Sequence, residues 1–448
     1  MGRQPFGLAS PAAWLIEAGV EVTCVDLAKQ KLAPDAVRDA EVVGFFLPMH
    51  TATRLALPVI DRVRAINPSA RLVAYGLYAP LNEALLREHG VMHVLGGEFE
   101  QDLVEAALKG CATREEAIAV VLQNGAQPFR AASPIPRLQF RVPVRDGLLP
   151  LTRYATLQIL DERRTAGYTE ASRGCKHRCR HCPIVPVYDG RFRVVPVDVV
   201  LADVRAQVLA GARHVTFGDP DFFNGIRHAD AVVRGFASEC PDVTYDVTIK
   251  VEHLLRHAEM LGVLRETGCA FVTTAVESVD DRVLAKLEKG HTRADFERVV
   301  GLCRDARLPL APTFMPFTPW TTLEGYLDLH HVIERLDLVE HVSPIQLVIR
   351  LLIPQGSRML ELDDVRRVTA PFDARSLTYP WTHADPAVDA LQAALTEVVG
   401  LKLSSPRREV FAKAWDLAHD CAGVRATRRE APLVSRAAIP YLNEPWYC

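Results

Sequence analysis

Apolar positions along the first hundred residues switch repeatedly between two periods. Helical spacing around Pro11 to Ala18, Leu57 to Ile66 and Leu81 to His89 alternates with short strand-like runs at Val20 to Val25, Glu41 to Leu47, Leu72 to Tyr75 and Met92 to Leu95. Such a rhythm predicts βαβ units and a parallel sheet, hence a small Rossmann-like α/β domain over residues 1–110. Between about 124 and 152 the texture becomes NGAQPFRAASPIPRLQFRVPVRDGLLPL, whose prolines oppose helix and favour extended chain; the segment 111–160 is predicted as a linker.

The βα rhythm then resumes with six predicted strands: Gly167 to Ala171, His214 to Phe217, Tyr245 to Ile249, Ala270 to Val276, Ala311 to Phe317 and Ile345 to Leu352. Six such units predict a partial (βα)6 barrel over residues 161–360, with its chemistry at the C-terminal ends of the strands. Residues 361–448 read as a mostly helical extension, with helices at Ala387 to Leu401 and Arg407 to His419 and a proline-rich end.

Composition narrows the function classes. With 49% hydrophobic residues in 448, two or three packed cores are within reach. The net charge of -3, with both signs scattered, offers no polybasic field for a phosphate backbone, so nucleic acid is not expected as the primary partner. No apolar run reaches the roughly 20 residues of a membrane helix and the N-terminus lacks a secretory apolar core, so a cytoplasmic protein without membrane contact is expected.

Ten cysteines are too few for a disulfide scaffold, yet Cys175, Cys179 and Cys182 crowd into a CxxxCxxC loop directly after the first barrel strand. Three thiolates in one short loop suit three corners of an iron-sulfur cubane and leave the fourth iron open. The spacing also fits a zinc site completed by His177 or His181, or three buried unliganded thiols. Lys176, His177, Arg178 and Arg180 are expected to lower the thiol pKa values and offset an anionic cluster. Cys24, Cys269 and Cys303 lie in apolar contexts and are expected in the core; Cys111, Cys240 and Cys421 have no spacing for a second cluster.

Placed after a strand that opens a βα repeat, the CxxxCxxC loop resembles that of the radical S-adenosylmethionine (SAM) superfamily. The resemblance implies a 4Fe-4S cluster whose open iron chelates SAM and, once reduced, cleaves it to a 5'-deoxyadenosyl radical. His181 stands where these proteins place an aromatic residue against the adenine, and an imidazole can stack. Phe217-Gly218-Asp219-Pro220-Asp221 occupies the place of a glycine-rich motif that receives the SAM amino group, implicating Gly218 and Asp219; a plain turn is the structural alternative. TTAVESVDDRVLAKLEKGHT resembles a signature of methylthiotransferases and of radical SAM proteins carrying cobalamin domains, which makes Glu277 and Ser278 pocket residues. A carboxylate ending an apolar strand needs a ligand or cation, for which Lys250 and Arg350 are the expected partners, with Gln346 beside them.

FGLASPAAWLIEAGVEVTCVDL and VLGGEFEQDLVEAAL resemble the cobalamin-binding-type domain that precedes many such barrels, without its DxHxxG motif; cobalamin is a candidate cofactor. No GxGxxG follows a strand, which excludes a dinucleotide fingerprint. The ending PYLNEPWYC resembles radical SAM (seleno)proteins with a CUAEP or CCAEP tail, so Cys448 is expected to act in redox chemistry or soft-element binding and to precede a selenocysteine. The resulting expectation is a radical SAM enzyme acting on a small-molecule or peptide substrate, with a flavodoxin or ferredoxin as reductant. The rival is a non-catalytic protein that binds or senses a metal or metalloid through the same thiols.

Overall fold

The computed structural model describes residues 2–108, 136–401, 405–424 and 439–443. Its N-terminal part builds a three-stranded parallel sheet in the order β1 (Val42–Phe46), β2 (Arg71–Tyr75), β3 (His93–Leu95). Ile60, Val63 and Leu72 pack in one cluster with Leu86, while Val73 and Tyr75 face Phe99, Leu103 and Leu15, so the sheet is covered on both faces. Helix α1 (Phe6–Glu17) lies on α2 (Glu100–Leu108) and is fixed by the Tyr75 hydroxyl, which donates to the Gly7 carbonyl at 3.0 Å.

The expected strand at Val20 to Val25 is absent. That segment keeps an alternating exposure pattern but pairs with no neighbour, leaving β1 as the sheet edge. Periodicity reports which side chains face inward; a strand also requires a partner ladder.

The larger sheet joins β4 (Thr156–Ile159), β5 (Glu162–Thr169), β8 (His214–Phe217), β9 (Thr244–Thr248), β10 (Cys269–Glu277), β11 (Leu310–Phe314) and β12 (Tyr441–Asn443) in the order β11-β10-β9-β8-β5-β4-β12. The five strands β5, β8, β9, β10 and β11 run parallel, as a curled partial barrel requires. β4 and β12 extend its edge antiparallel, and β4 falls within the segment expected to be linker. Strand β8 is buried along its whole length and β10 alternates, the burial patterns of strands covered by helices.

The sixth predicted strand, Ile345 to Leu352, is reduced to a 3-10 turn at Pro344–Leu347 and a single parallel bridge between Phe317 and Arg350. Pro344 removes a ladder donor at its start. The Gln346 side chain accepts from the Phe314 backbone at 2.9 Å, taking up a strand-edge donor of β11 in place of a neighbouring strand. Two C-terminal helices, Pro386–Leu401 and Arg407–Ala422, pack Val388, Leu391, Phe411 and Trp415 into the barrel's own core cluster.

The two parts meet around Arg173. Its guanidinium lies 3.1 Å from Glu98, 2.7 Å from Glu100 and 2.9 Å from Glu170, all buried or nearly so, while the Tyr188 hydroxyl donates to Glu98. This network ties α2 and the loop before it to the segment carrying the cysteines. Among the described residues, no helix is long and apolar enough to cross a membrane.

Candidate metal and cofactor centre

The cysteine loop is the connection of a small hairpin. After β5, strands β6 (Ser172–Gly174) and β7 (Phe192–Val194) pair antiparallel and close its base. Gly174 has φ 74°, and a Cβ there would meet the Tyr188 ring at 2.3 Å and the Arg191 carbonyl at 2.5 Å, so only glycine starts the loop in this direction. From the barrel, Asn224 accepts from the Lys176 backbone at 3.2 Å and donates to the Gly174 carbonyl, and the Arg180 backbone donates to the Leu287 carbonyl. None of these contacts was legible in residue spacing, because Asn224 and Leu287 follow different strands.

Cys175, Cys179 and Cys182 converge closely enough for their charges to interact. At Cys175 and Cys182 the expected lowering is reversed: burial, the dominant cause, pushes Cys175 up to about 11 and Cys182 up to about 12. The loop arginines do not offset this, because Arg178 pairs with Asp189 at 2.8 Å and Arg180 with Glu288 at 2.6 Å. One cation does face the thiols: Lys250 Nζ lies 3.8 Å from Cys179 Sγ and 3.8 Å from Glu252.

Two buried thiols and a half-buried third, with Cys175 and Cys182 costly to ionise alone, are a donor set suited to a polycationic centre, and the other buried cysteines, Cys240, Cys269 and Cys303, lie in the barrel core. A zinc site completed by histidine is disfavoured by where the imidazoles point. His181 Nε2 turns to Glu277 at 3.2 Å, and His177 Nε2 lies 3.3 Å from His253 and 3.5 Å from Asp221. The donors therefore fit a 4Fe-4S cluster held by Cys175, Cys179 and Cys182, with its fourth iron free to take the amino and carboxylate groups of SAM.

Glu277 ends β10 at a bulge and holds φ 69°, a left-handed conformation rare for a side-chain-bearing residue and a mark of a constrained site. Burial opposes its ionisation, but the Lys289 ammonium at 3.4 Å and His181 outweigh that and hold its pKa at about 2. The partner is thus Lys289, rather than Lys250 or Arg350. Arg350 pairs with Asp389 at 2.7 Å and stacks on Trp381 at 3.5 Å, on the side of the C-terminal helices. Lys289 and His291 both stand in the KGHT stretch of the quoted signature, so the signal was present and only the partner was missed.

Asp219 and Gly218 also differ from expectation. Asp219 accepts from the Ala171 backbone at 2.9 Å and the Ser172 hydroxyl at 2.5 Å, so it fixes the chain entering the cysteine loop instead of opening to a ligand. Burial raises its pKa to about 7 against those hydrogen bonds. A Cβ on Gly218 would overlap the Tyr168 hydroxyl at 1.7 Å, so the glycine makes room for a side chain of β5. Ser278 accepts from the Asp280 backbone at 3.1 Å within the turn after β10. Cys448 lies outside the described residues.

Comparisons with known proteins agree with this geometry. Residues 169–330 match the radical SAM superfamily model. A tRNA-2-methylthio-N(6)-dimethylallyladenosine synthase of Chlorobium luteolum is 24% identical over 260 residues, covering 50% of this chain and 55% of that protein. The chain thus spans about half the length of such a curated relative. Among solved structures, the cobalamin-dependent radical SAM enzyme OxsB with aqua-cobalamin bound aligns at TM-score 0.67 and 13% identity, over 94% of this chain and 69% of that one. The radical SAM methyltransferase TsrM from Kitasatospora setae, with cobalamin and a 4Fe-4S cluster bound, aligns at 0.59 and 17%, over 92% and 97%. These last two likenesses speak to the fold alone; it is the segment 169–330, with its three converging cysteines, that is similar to the radical SAM superfamily.

Proposed function

We propose that this protein is an enzyme that reductively cleaves SAM at a 4Fe-4S cluster on Cys175, Cys179 and Cys182 and directs the resulting radical to a small-molecule or peptide substrate. The observation that carries the proposal is the convergence of three thiols, two of them buried, at the mouth of a five-stranded parallel sheet, inside the matched segment. Lys250 beside Cys179 offsets charge near the cluster, and the His181–Glu277–Lys289 group fixes one wall of the pocket. A flavodoxin or ferredoxin supplies the electron.

Relatives of this segment include proteins named as methylthiotransferases, and structural neighbours include a methyltransferase, so transfer of a one-carbon or sulfur-bearing group is the reaction class to test first. Bound cobalamin is supported by alignments that extend through the three-stranded N-terminal sheet. The C-terminal tail is proposed to bring Cys448 to this chemistry; β12, which pairs with β4, would tether it to the barrel sheet.

Anaerobic reconstitution with iron and sulfide, reduction with dithionite and mass-spectrometric detection of 5'-deoxyadenosine test the central claim. The expected result is a cluster of about four irons and SAM cleavage that both vanish in Cys175→Ala. Iron-free protein, or deoxyadenosine formation unchanged in that variant, would overturn it and leave the non-catalytic metal-binding reading. Visible spectra after incubation with hydroxocobalamin test the second cofactor.

A further inference from the structure

Next to the cysteine loop, three side chains converge that the radical chemistry does not use. His177 sits between Cys175 and Cys179, Asp221 follows β8, and His253 lies on the short helix Val251–Arg256 after β9. One ligating atom from each falls within 4.8 Å of the others. His177 Nε2 is 3.3 Å from His253 Nε2 and 3.5 Å from Asp221 Oδ2. Ligands at about 2.0–2.1 Å from a tetrahedral ion stand about 3.3 Å apart, close to both separations from His177.

The site is also prepared. Asp221 and His253 are fully buried. Asp221 Oδ1 is oriented by the backbone N–H groups of Phe223 and Lys250, leaving Oδ2 turned toward the two imidazoles. Oδ2 and His253 Nδ1 approach to 2.7 Å, yet neither makes a hydrogen bond. A buried carboxylate oxygen left without a hydrogen bond is expensive, and a cation held between Oδ2 and the two imidazole Nε2 atoms removes that cost. On the far side of His177, Glu252 Oε2 lies 3.6 Å from Nδ1 and adds negative charge beside the ring. A proton relay through Asp221, His253 and His177 would need the aligned hydrogen bond that is missing.

We propose that His177, Asp221 and His253 bind a single divalent transition-metal ion of the zinc(II) class, distinct from the cluster, which pins the cysteine loop to the barrel. Two imidazoles and one carboxylate are a borderline donor set, and three protein ligands leave a fourth position for water.

The test uses holoprotein with its cluster assembled, so that the three thiolates are already occupied, loaded with zinc chloride and desalted. Elemental analysis should find about one zinc per chain in addition to the cluster iron, and zinc should raise the thermal unfolding midpoint. Asp221→Asn, which keeps the Oδ1 acceptor, and His253→Gln should each lower retained zinc at least tenfold and abolish the zinc-dependent midpoint shift while the visible cluster absorption persists. The triple variant Cys175→Ser/Cys179→Ser/Cys182→Ser should lose the cluster and still retain zinc that Asp221→Asn removes; this separates the proposal from the radical SAM reading. Wild-type protein that retains no zinc, or zinc retention indifferent to both Asp221→Asn and His253→Gln, would overturn it.

Discussion

Replacing Lys289 by methionine removes the cation that keeps Glu277 ionised inside the protein. In the native chain the carboxyl stands at about 2 against an ordinary 4.5. At 1.36 kcal/mol per pKa unit this corresponds to about 3 kcal/mol of stabilisation. Because the folded value is depressed, that contribution is present above pH 4.5 and is lost as pH falls toward 2. In Lys289→Met the burial that opposes ionisation is no longer outweighed, since His181 alone faces the carboxylate, and an unpaired buried charge costs about 3–5 kcal/mol. Glu277→Gln leaves the Lys289 ammonium buried in turn, whereas the double variant Glu277→Gln/Lys289→Met leaves no charge unpaired. Urea unfolding at pH 7, followed by tryptophan fluorescence, should therefore show the double variant closer to wild type than Lys289→Met alone, with a coupling energy of about 2–3 kcal/mol. The deficit of Lys289→Met should shrink below pH 4.5. If the double variant's loss equals the sum of the singles, the two groups are independent and the reasoning fails.

Three further outcomes follow from the same geometry. Gly174→Ala places a Cβ against Tyr188 and the Arg191 carbonyl at a positive φ, so reconstituted iron and visible cluster absorption should fall at least several-fold while the far-UV circular dichroism is kept. Arg173→Met leaves the buried Glu98 and Glu100, and the partly exposed Glu170, without their cation and should destabilise the apo-protein by about 3–5 kcal/mol, read from the urea midpoint. Asp219, raised from 3.8 to about 7 by burial, costs stability as pH climbs through that window; Asp219→Asn should flatten the pH dependence of the unfolding midpoint between about 4 and 7, and an unchanged slope would refute the assignment.

What could be read in advance was set by local pattern. The strands β8, β9 and β10 and the cysteine loop each lie in contiguous sequence whose hydrophobic run and turn residues suffice to mark them. The missing strand at 20–25 and the collapsed sixth strand share one cause: both have strand-like composition, but ladder pairing depends on neighbours far away in sequence. The charge arguments failed in the same way. The basic residues of the loop looked like partners of the thiols, yet Arg178 and Arg180 find carboxylates at Asp189 and Glu288, one of them over a hundred residues distant. Lys289 was visible within the signature, but its pairing with Glu277 required the bulge that turns the end of β10.

The loop's construction also bears on how Cys175 and Cys182 can be raised so far and yet be suited to the proposed ligation. Asp219 through Ser172, Asn224 through Lys176 and Gly174, Leu287 through Arg180 and Arg358 through the Arg178 carbonyl all hold backbone or neighbouring groups, and none neutralises sulfur. The loop is therefore shaped before any metal arrives, while Cys175 and Cys182 stay protonated. Metal binding must then expel protons from Cys175 and Cys182, so cluster assembly should grow steeply more favourable with rising pH, and the energy gained on ligation adds directly to the stability of a hairpin that is already closed at its base. A loop with pre-ionised thiolates would have bound metal earlier but would have repelled itself in the apo-state; burial of neutral thiols avoids that repulsion and reserves the pocket for a centre charged enough to reverse it.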